Sequence, residues 1–193
     1  MNEFHFVDRW SVEATAREAV EVFADHADAG RWWPATFLVA EQVDPGAPDG
    51  TGRTIRALTA GFLPYRLQVR IRLQLINSDN DYTLAFSGDL CGLTRVKTTQ
   101  CGDRLDIIFE SRLAPQKPVV RFLMPILKPL YIWNHSWLMT RGERSIRLEI
   151  ARRRAQRDGD TRGAPLPAPP QPTTLHQLGL RVLKPRWKRS VQH

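Results

Sequence analysis

The sequence predicts an α+β fold: a curved, seven-stranded antiparallel sheet wrapped around one long C-terminal helix, with two short helices after the first strand. Three observations lead there. In residues 65–75, Tyr65, Leu67, Val69, Ile71, Leu73 and Leu75 alternate with Arg66, Gln68, Arg70, Arg72 and Gln74. That period of two gives a strand one apolar face and one cationic, wet face. Three similar runs follow, and residues 130–154 then read as uninterrupted helix. A sheet with one apolar face must cover it, and only this last helix is long enough to do so. Such an arrangement leaves a space between sheet and helix, where function is to be sought.

Taken in order, residues 4–12 alternate as the first strand. Thr15-Ala16-Arg17-Glu18 is a capping box: the Thr15 oxygen takes a free amide at the helix start while Glu18 reaches back. The helix runs to about Ala27 with Ala16, Ala19, Val20, Phe23 and Ala27 on one face, and residues 28–33 add one turn closed by Pro34. Strand two is expected over 37–43, a Pro/Gly-rich loop over 44–52, strand three over 53–60 and a turn at 61–64. Strand four is the alternating run. Strands five, six and seven follow at 82–89, 90–101 and 104–113. Residues 115–128 read as an irregular or broken-helical approach, because Pro125 and Pro129 each remove a helix donor.

Charge divides the chain of 193 residues. Residues 1–150 hold 18 bases and 18 acids, so the net charge of +8 comes from the remaining 10 bases set against Asp158 and Asp160. Residues 162–174 contain five prolines and read as an extended linker. The expected organisation is a domain over 1–156, a Pro-rich linker over 157–174 and a basic, partly apolar tail over 175–193. With five bases and Trp187, the tail suits peripheral contact with an anionic membrane; a solubilising tail without a partner is the other account. Nucleic acid is not expected, since the domain lacks a basic face with interleaved aromatics. Cys91 and Cys101 fit no metal spacing and read as reduced thiols of a cytoplasmic protein. No His pairs with a second ligand at metal spacing, and there is no phosphate loop or nucleophile elbow, so neither metal nor cofactor is expected. No segment reads as a targeting peptide or a membrane span.

The element order, the Trp32-Trp33-Pro34 turn and the helix sequence Asn134-His135-Ser136-Trp137-Leu138-Met139-Thr140-Arg141-Gly142-Glu143 resemble the SRPBCC superfamily. Within it they look like the polyketide cyclase/dehydrase-like and lipid-transport-like (START-like) branch. The resemblance covers about residues 4–154 and omits the tail. It implies a helix-grip fold with a deep apolar cavity between the concave sheet and the last helix. Members of the superfamily bind lipids, sterols, polyketides, quinones or aromatic hormones, and some are enzymes.

Candidate cavity residues on the sheet are Tyr65, Leu67, Val69, Ile71, Phe86, Thr94, Ile107 and Phe109, with Ile55, Ala57, Thr59, Leu84 and Val96 on the same face. On the last helix, Leu130, Asn134, Trp137, Leu138, Arg141 and Leu148 share a broad stripe. Polar intrusion at Asn134, Arg141, Thr59 and Thr94 favours a cavity over a filled core, although Arg141 would ordinarily lie exposed at the sheet's edge. Of Trp32 and Trp33, one is expected to plug the end of the sheet and the other to meet a planar ligand. Phe62, in the turn before strand four, would form the opposite lip or a mobile gate. Gly142 costs about 1 kcal/mol in a helix and implies a close approach or a bend. His135 follows Asn134, about 100° around the helix, and is expected to face solvent or the sheet's rim. No catalytic constellation emerges. The reading is binding or transport of a hydrophobic small molecule (lipid, quinone or polyketide-like). The alternatives are a cyclase or dehydrase on an aromatic or polyketide substrate, and a protein-interaction module with a filled core.

Overall fold

The computed structural model describes residues 3–25, 28–63, 65–78, 80–160 and 163–167. The tail over 175–193 and the second half of the expected linker lie outside the described residues. The elements are β1 (Phe4–Glu13), α1 (Ala16–Ala24), α2 (Ala29–Trp32), β2 (Phe37–Asp44), β3 (Thr54–Ala60), β4 (Arg66–Ser78), β5 (Asp81–Gly88), β6 (Leu90–Cys101), β7 (Arg104–Pro115) and α3 (Pro118–Arg157). The strands form one sheet of order β1-β7-β6-β5-β4-β3-β2, antiparallel at every pairing. Chain-adjacent β1 and β2 therefore form opposite edges, and α1 and α2 bridge the end of the sheet between them.

The capping box forms as the residues require: Glu18 N–H donates to Thr15 Oγ1 at 3.2 Å and Thr15 N–H to Glu18 Oε2 at 2.9 Å. Helix α1 then stops at Ala24, earlier than the sequence suggests, with the Asp25 amide closing onto the Val22 carbonyl.

Two sequence expectations need correction. The irregular or broken-helical approach over 115–128 gives way to a continuous helix, for α3 starts at Pro118 and runs 40 residues, about 60 Å at the usual rise. Pro118 stands in the first turn, where the missing amide has no helical partner to lose. Pro125 and Pro129 are both exposed, so the carbonyls they leave unpaired open toward water. The second correction concerns Leu75. The apolar alternation continues through it, but a register shift between Leu73 and Leu75 turns it outward, 52% exposed. Ile76 takes the inward place.

The packed core lies where α1 and α2 close one end of the sheet against the second half of α3. Trp10, Val12, Val22, Trp32, Leu105, Ile107, Ile146 and Ile150 form it. Gly142 is required there: a Cβ would lie 2.5 Å from the rings of both Trp10 and Trp33. Beside the core, the buried Glu149 carboxylate accepts from Arg31 (2.8 and 2.9 Å), Arg152 (2.8 Å) and Arg153 (2.6 Å). Burial pushes this carboxyl upward, but the hydrogen bonds from Arg152, Arg31 and Arg153 outweigh it and hold the group well below the usual carboxylate range. Arg31 also binds Asp28 and Arg153 binds Asp25, so this one carboxylate ties α3 to the segment between α1 and α2.

Candidate functional site: a cavity under helix α3

Beyond the Trp10–Trp33 plug, sheet and helix separate and leave a partly open cavity of about 920 Å³, bordered also by α1 and the β2–β3 loop. Its walls are the inward rows of the strands, set by the period-two alternation: Leu67, Val69 and Ile71 from β4, Leu84 and Phe86 from β5, Thr94 and Val96 from β6, Phe109 and Ser111 from β7. Its roof is α3, through Tyr131, Asn134, His135 and Leu138, at spacings of three and four. Trp32 and Trp33 border it at the packed end, where Trp33 meets Trp10 edge-on at 5.2 Å. Trp32 is the more deeply buried of the pair.

Among the sequence candidates, the structure brings Trp32, Trp33, Tyr65, Leu67, Val69, Ile71, Phe86, Thr94, Phe109, Asn134 and Leu138 to this cavity. It places four elsewhere. Ile107 lies wholly within the packed core, in register with Trp10 and Thr98, because the Trp plug fills the sheet at that level. Trp137 and Arg141 follow each other by one turn along the outer edge of α3, and the Arg141 guanidinium stands 5.0 Å over the Trp137 ring. Phe62 does not form an inner lip. It packs outside the cavity, edge-on to Trp133 at 4.9 Å and Trp137 at 5.7 Å. The helical stripe drawn from spacing was too wide: Asn134 and Leu138 point in, Trp137 and Arg141 do not.

Polar residues line the cavity at several places, Arg17, Asp25, Asp49, Arg53 and Thr59 among them, and at three further points hydrogen-bonded groups enter its walls. Asn134 is buried and accepts from the Leu63 amide at 3.1 Å through Oδ1, while Nδ2 donates to Tyr65 Oη at 3.2 Å. Gly61 makes room for it, since a Cβ there would lie 2.6 Å from Oδ1. The β3–β4 turn is thereby latched to α3. Burial, with the nearby Tyr131, pushes the Tyr65 hydroxyl up to about 12 despite the Asn134 bond. The phenol thus stays neutral, and its own O–H is left to donate to a bound molecule. Thr94 and Ser111 share a hydrogen bond of 2.9 Å across β6 and β7.

The third point is His135, for which solvent or the sheet's rim was expected and which the structure puts at the rim, against edge strand β1. It borders the cavity, stacks on Phe6 at 3.8 Å and lies 2.7 Å from Asp8 Oδ2 through Nε2. The first half of α3 rides above β1, so the helix flank one residue on from Asn134 meets the sheet's edge strand. Asp8 was missed. The signal was present: Phe4, Phe6, Trp10 and Val12 alternate inward along β1, and Asp8 stands in that apolar row.

No protein-family model matches the chain, and no curated protein matches it in sequence. Solved structures do match in fold. A START superfamily protein from Mycobacterium smegmatis aligns with a TM-score of 0.59 and 14% identity over 74% of this chain and 96% of that one. The ZhuI aromatase/cyclase from Streptomyces sp. R1128 aligns at 0.52 and 14% identity, over 76% and 98%. Norcoclaurine synthase from Thalictrum flavum aligns at 0.50 and 13% identity, over 77% and 93%. The fold of the chain is the helix-grip, START-like fold of these structures.

Proposed function

We propose that the protein binds and carries a hydrophobic small molecule, a lipid, quinone or polyketide-like compound, in the cavity beneath α3. The cavity is the observation that carries this reading. At about 920 Å³, with apolar walls and few polar groups, it falls within the range of small-molecule sites. Its polar groups suit a mostly apolar molecule with one oxygen-bearing end held by the Tyr65 hydroxyl. The fold it shares with a START superfamily protein and an aromatase/cyclase supports the same reading. Residues 1–156 are then the binding domain, 157–174 a tether, and 175–193 a basic tail near anionic membranes. Native mass spectrometry of the purified full chain tests this. A co-purifying apolar ligand released by organic solvent is expected, and a protein that takes up no lipid, quinone or aromatic polyketide at saturating supply would overturn it.

A second reading, a cyclase or dehydrase, is favoured by His135 alone. An imidazole oriented by Asp8 beside an apolar cavity is equipped to take a proton from a carbon next to a carbonyl, with Tyr65 as donor to the enolate oxygen. Deuterium uptake by a β-diketone probe, fast with the wild type and lost in His135→Gln, would support it. Equal uptake in both proteins would remove it.

A further inference from the structure

The first half of α3 is apolar on two faces, and only one of them meets the cavity. On the other, Phe122, Ile126, Leu130, Trp133 and Trp137 succeed one another at spacings of three and four. Taken at about 100° per residue they fall within one narrow stripe. Phe62 extends that stripe from the β3–β4 turn by packing on both tryptophans. Phe122 is 83% exposed, Ile126 77% and Trp133 45%. Single exposed apolar residues need no explanation, but a contiguous row with two Trp and two Phe marks a surface that leaves water.

Charge decides what covers it. From Pro118 to Gly142 the helix carries no Asp or Glu; at the same rotation of about 100° per residue Arg144 falls in line with the stripe and Arg141 at its border, whereas Arg121 and Lys128 fall on the opposite side of the helix. Among the described residues, Arg141 and Arg144 form no ion pair. A second copy of this face would set base against base. The chain's own tail, with five bases over 175–193, would do the same. An anionic lipid surface satisfies both features, since aromatic side chains settle at headgroup depth and Lys and Arg meet the lipid phosphates. We infer that the Phe122–Trp137 face of α3, with Phe62, docks the protein on an anionic bilayer. Because Val120, Tyr131, Asn134 and His135 of the same helix border the cavity, docking would place the cavity's roof at the membrane. The inference does not depend on which molecule the cavity holds.

The test uses the full chain and vesicles of equal parts phosphatidylglycerol and phosphatidylcholine, read by co-sedimentation and tryptophan emission. The wild type is expected to sediment with these vesicles, more weakly with phosphatidylcholine alone, and with blue-shifted emission. Phe122→Glu and Ile126→Glu, each at an exposed site and checked for wild-type circular dichroism, are each expected to lose about tenfold in vesicle affinity. Failure of the wild type to bind overturns the inference. Equal binding by wild type and both variants also overturns it, and assigns the membrane contact to the tail. A wild-type dimer that dissociates in the variants, without vesicle binding, overturns it in favour of a second copy.

Discussion

The two halves of α3 lie on one sheet and do opposite things. From Gly142 onward the helix sinks into the core: Ile146 and Ile150 are buried, Gly142 touches two indole rings, and Glu149 collects three arginines. Before Gly142 the helix stands away from the sheet over about 920 Å³ of open interior, held at its middle by Asn134 and His135. The difference comes from what covers the sheet. At one end α1 and α2 bring Trp32, Trp33 and Phe23 to fill the concave face beside Trp10. At the other, among the described residues, α3 is the main cover, and one helix cannot fill a curved sheet. Packing is thus concentrated at the closed end and open space at the other.

This contrast can be broken in four ways, in decreasing order of effect on stability. Glu149→Ala leaves Arg31, Arg152 and Arg153 clustered without their carboxylate, and should cost about 3–5 kcal/mol in chemical denaturation. Gly142→Ala drives a methyl into Trp10 and Trp33. Thermal unfolding should show a loss of about 1–3 kcal/mol, more than the helix propensity that alanine returns. Acid probes the same end. The Arg154 hydrogen bond, above all, holds Glu18 at about 2 against an ordinary 4.5, so its contribution is complete above 4.5 and is lost as pH falls toward 2. The midpoint of urea unfolding should fall through that window, and Glu18→Gln should flatten the fall. Leu67→Trp, at the open end, should change stability by less than about 1 kcal/mol because there is space to occupy. Ligand uptake in native mass spectrometry should nevertheless fall severalfold. A large destabilisation from Leu67→Trp would mean the open end is packed more tightly than the geometry indicates.

Much of the fold was legible because its signals are local and periodic. The alternation of 65–75, the Thr15–Glu18 box and the turn residues name their elements without reference to anything distant. The sheet rows of the cavity were legible for the same reason. What escaped depends on neighbours. The prolines at 125 and 129 argue against helix locally, yet an exposed helix face tolerates them. Leu75 fits the alternation, and only the pairing with β5 reveals the register shift that turns it out. On α3, spacing groups Asn134, Trp137, Leu138 and Arg141 together, but the width of the inward stripe is set by how closely β1 and the β3–β4 turn approach the helix.

By itself the sequence determined the element order, the inward rows of the strands, the close approach at Gly142 and the charge separation between domain and tail. Each follows from periodicity, composition or a backbone constraint acting over a few residues. Only the tertiary structure decided that Asp8 and His135 meet across 127 positions, that Trp137 and Arg141 face outward, and that the interior fills at one end and stays open at the other. Those outcomes depend on how far two surfaces can approach before side chains from remote segments collide, and no local pattern encodes that distance.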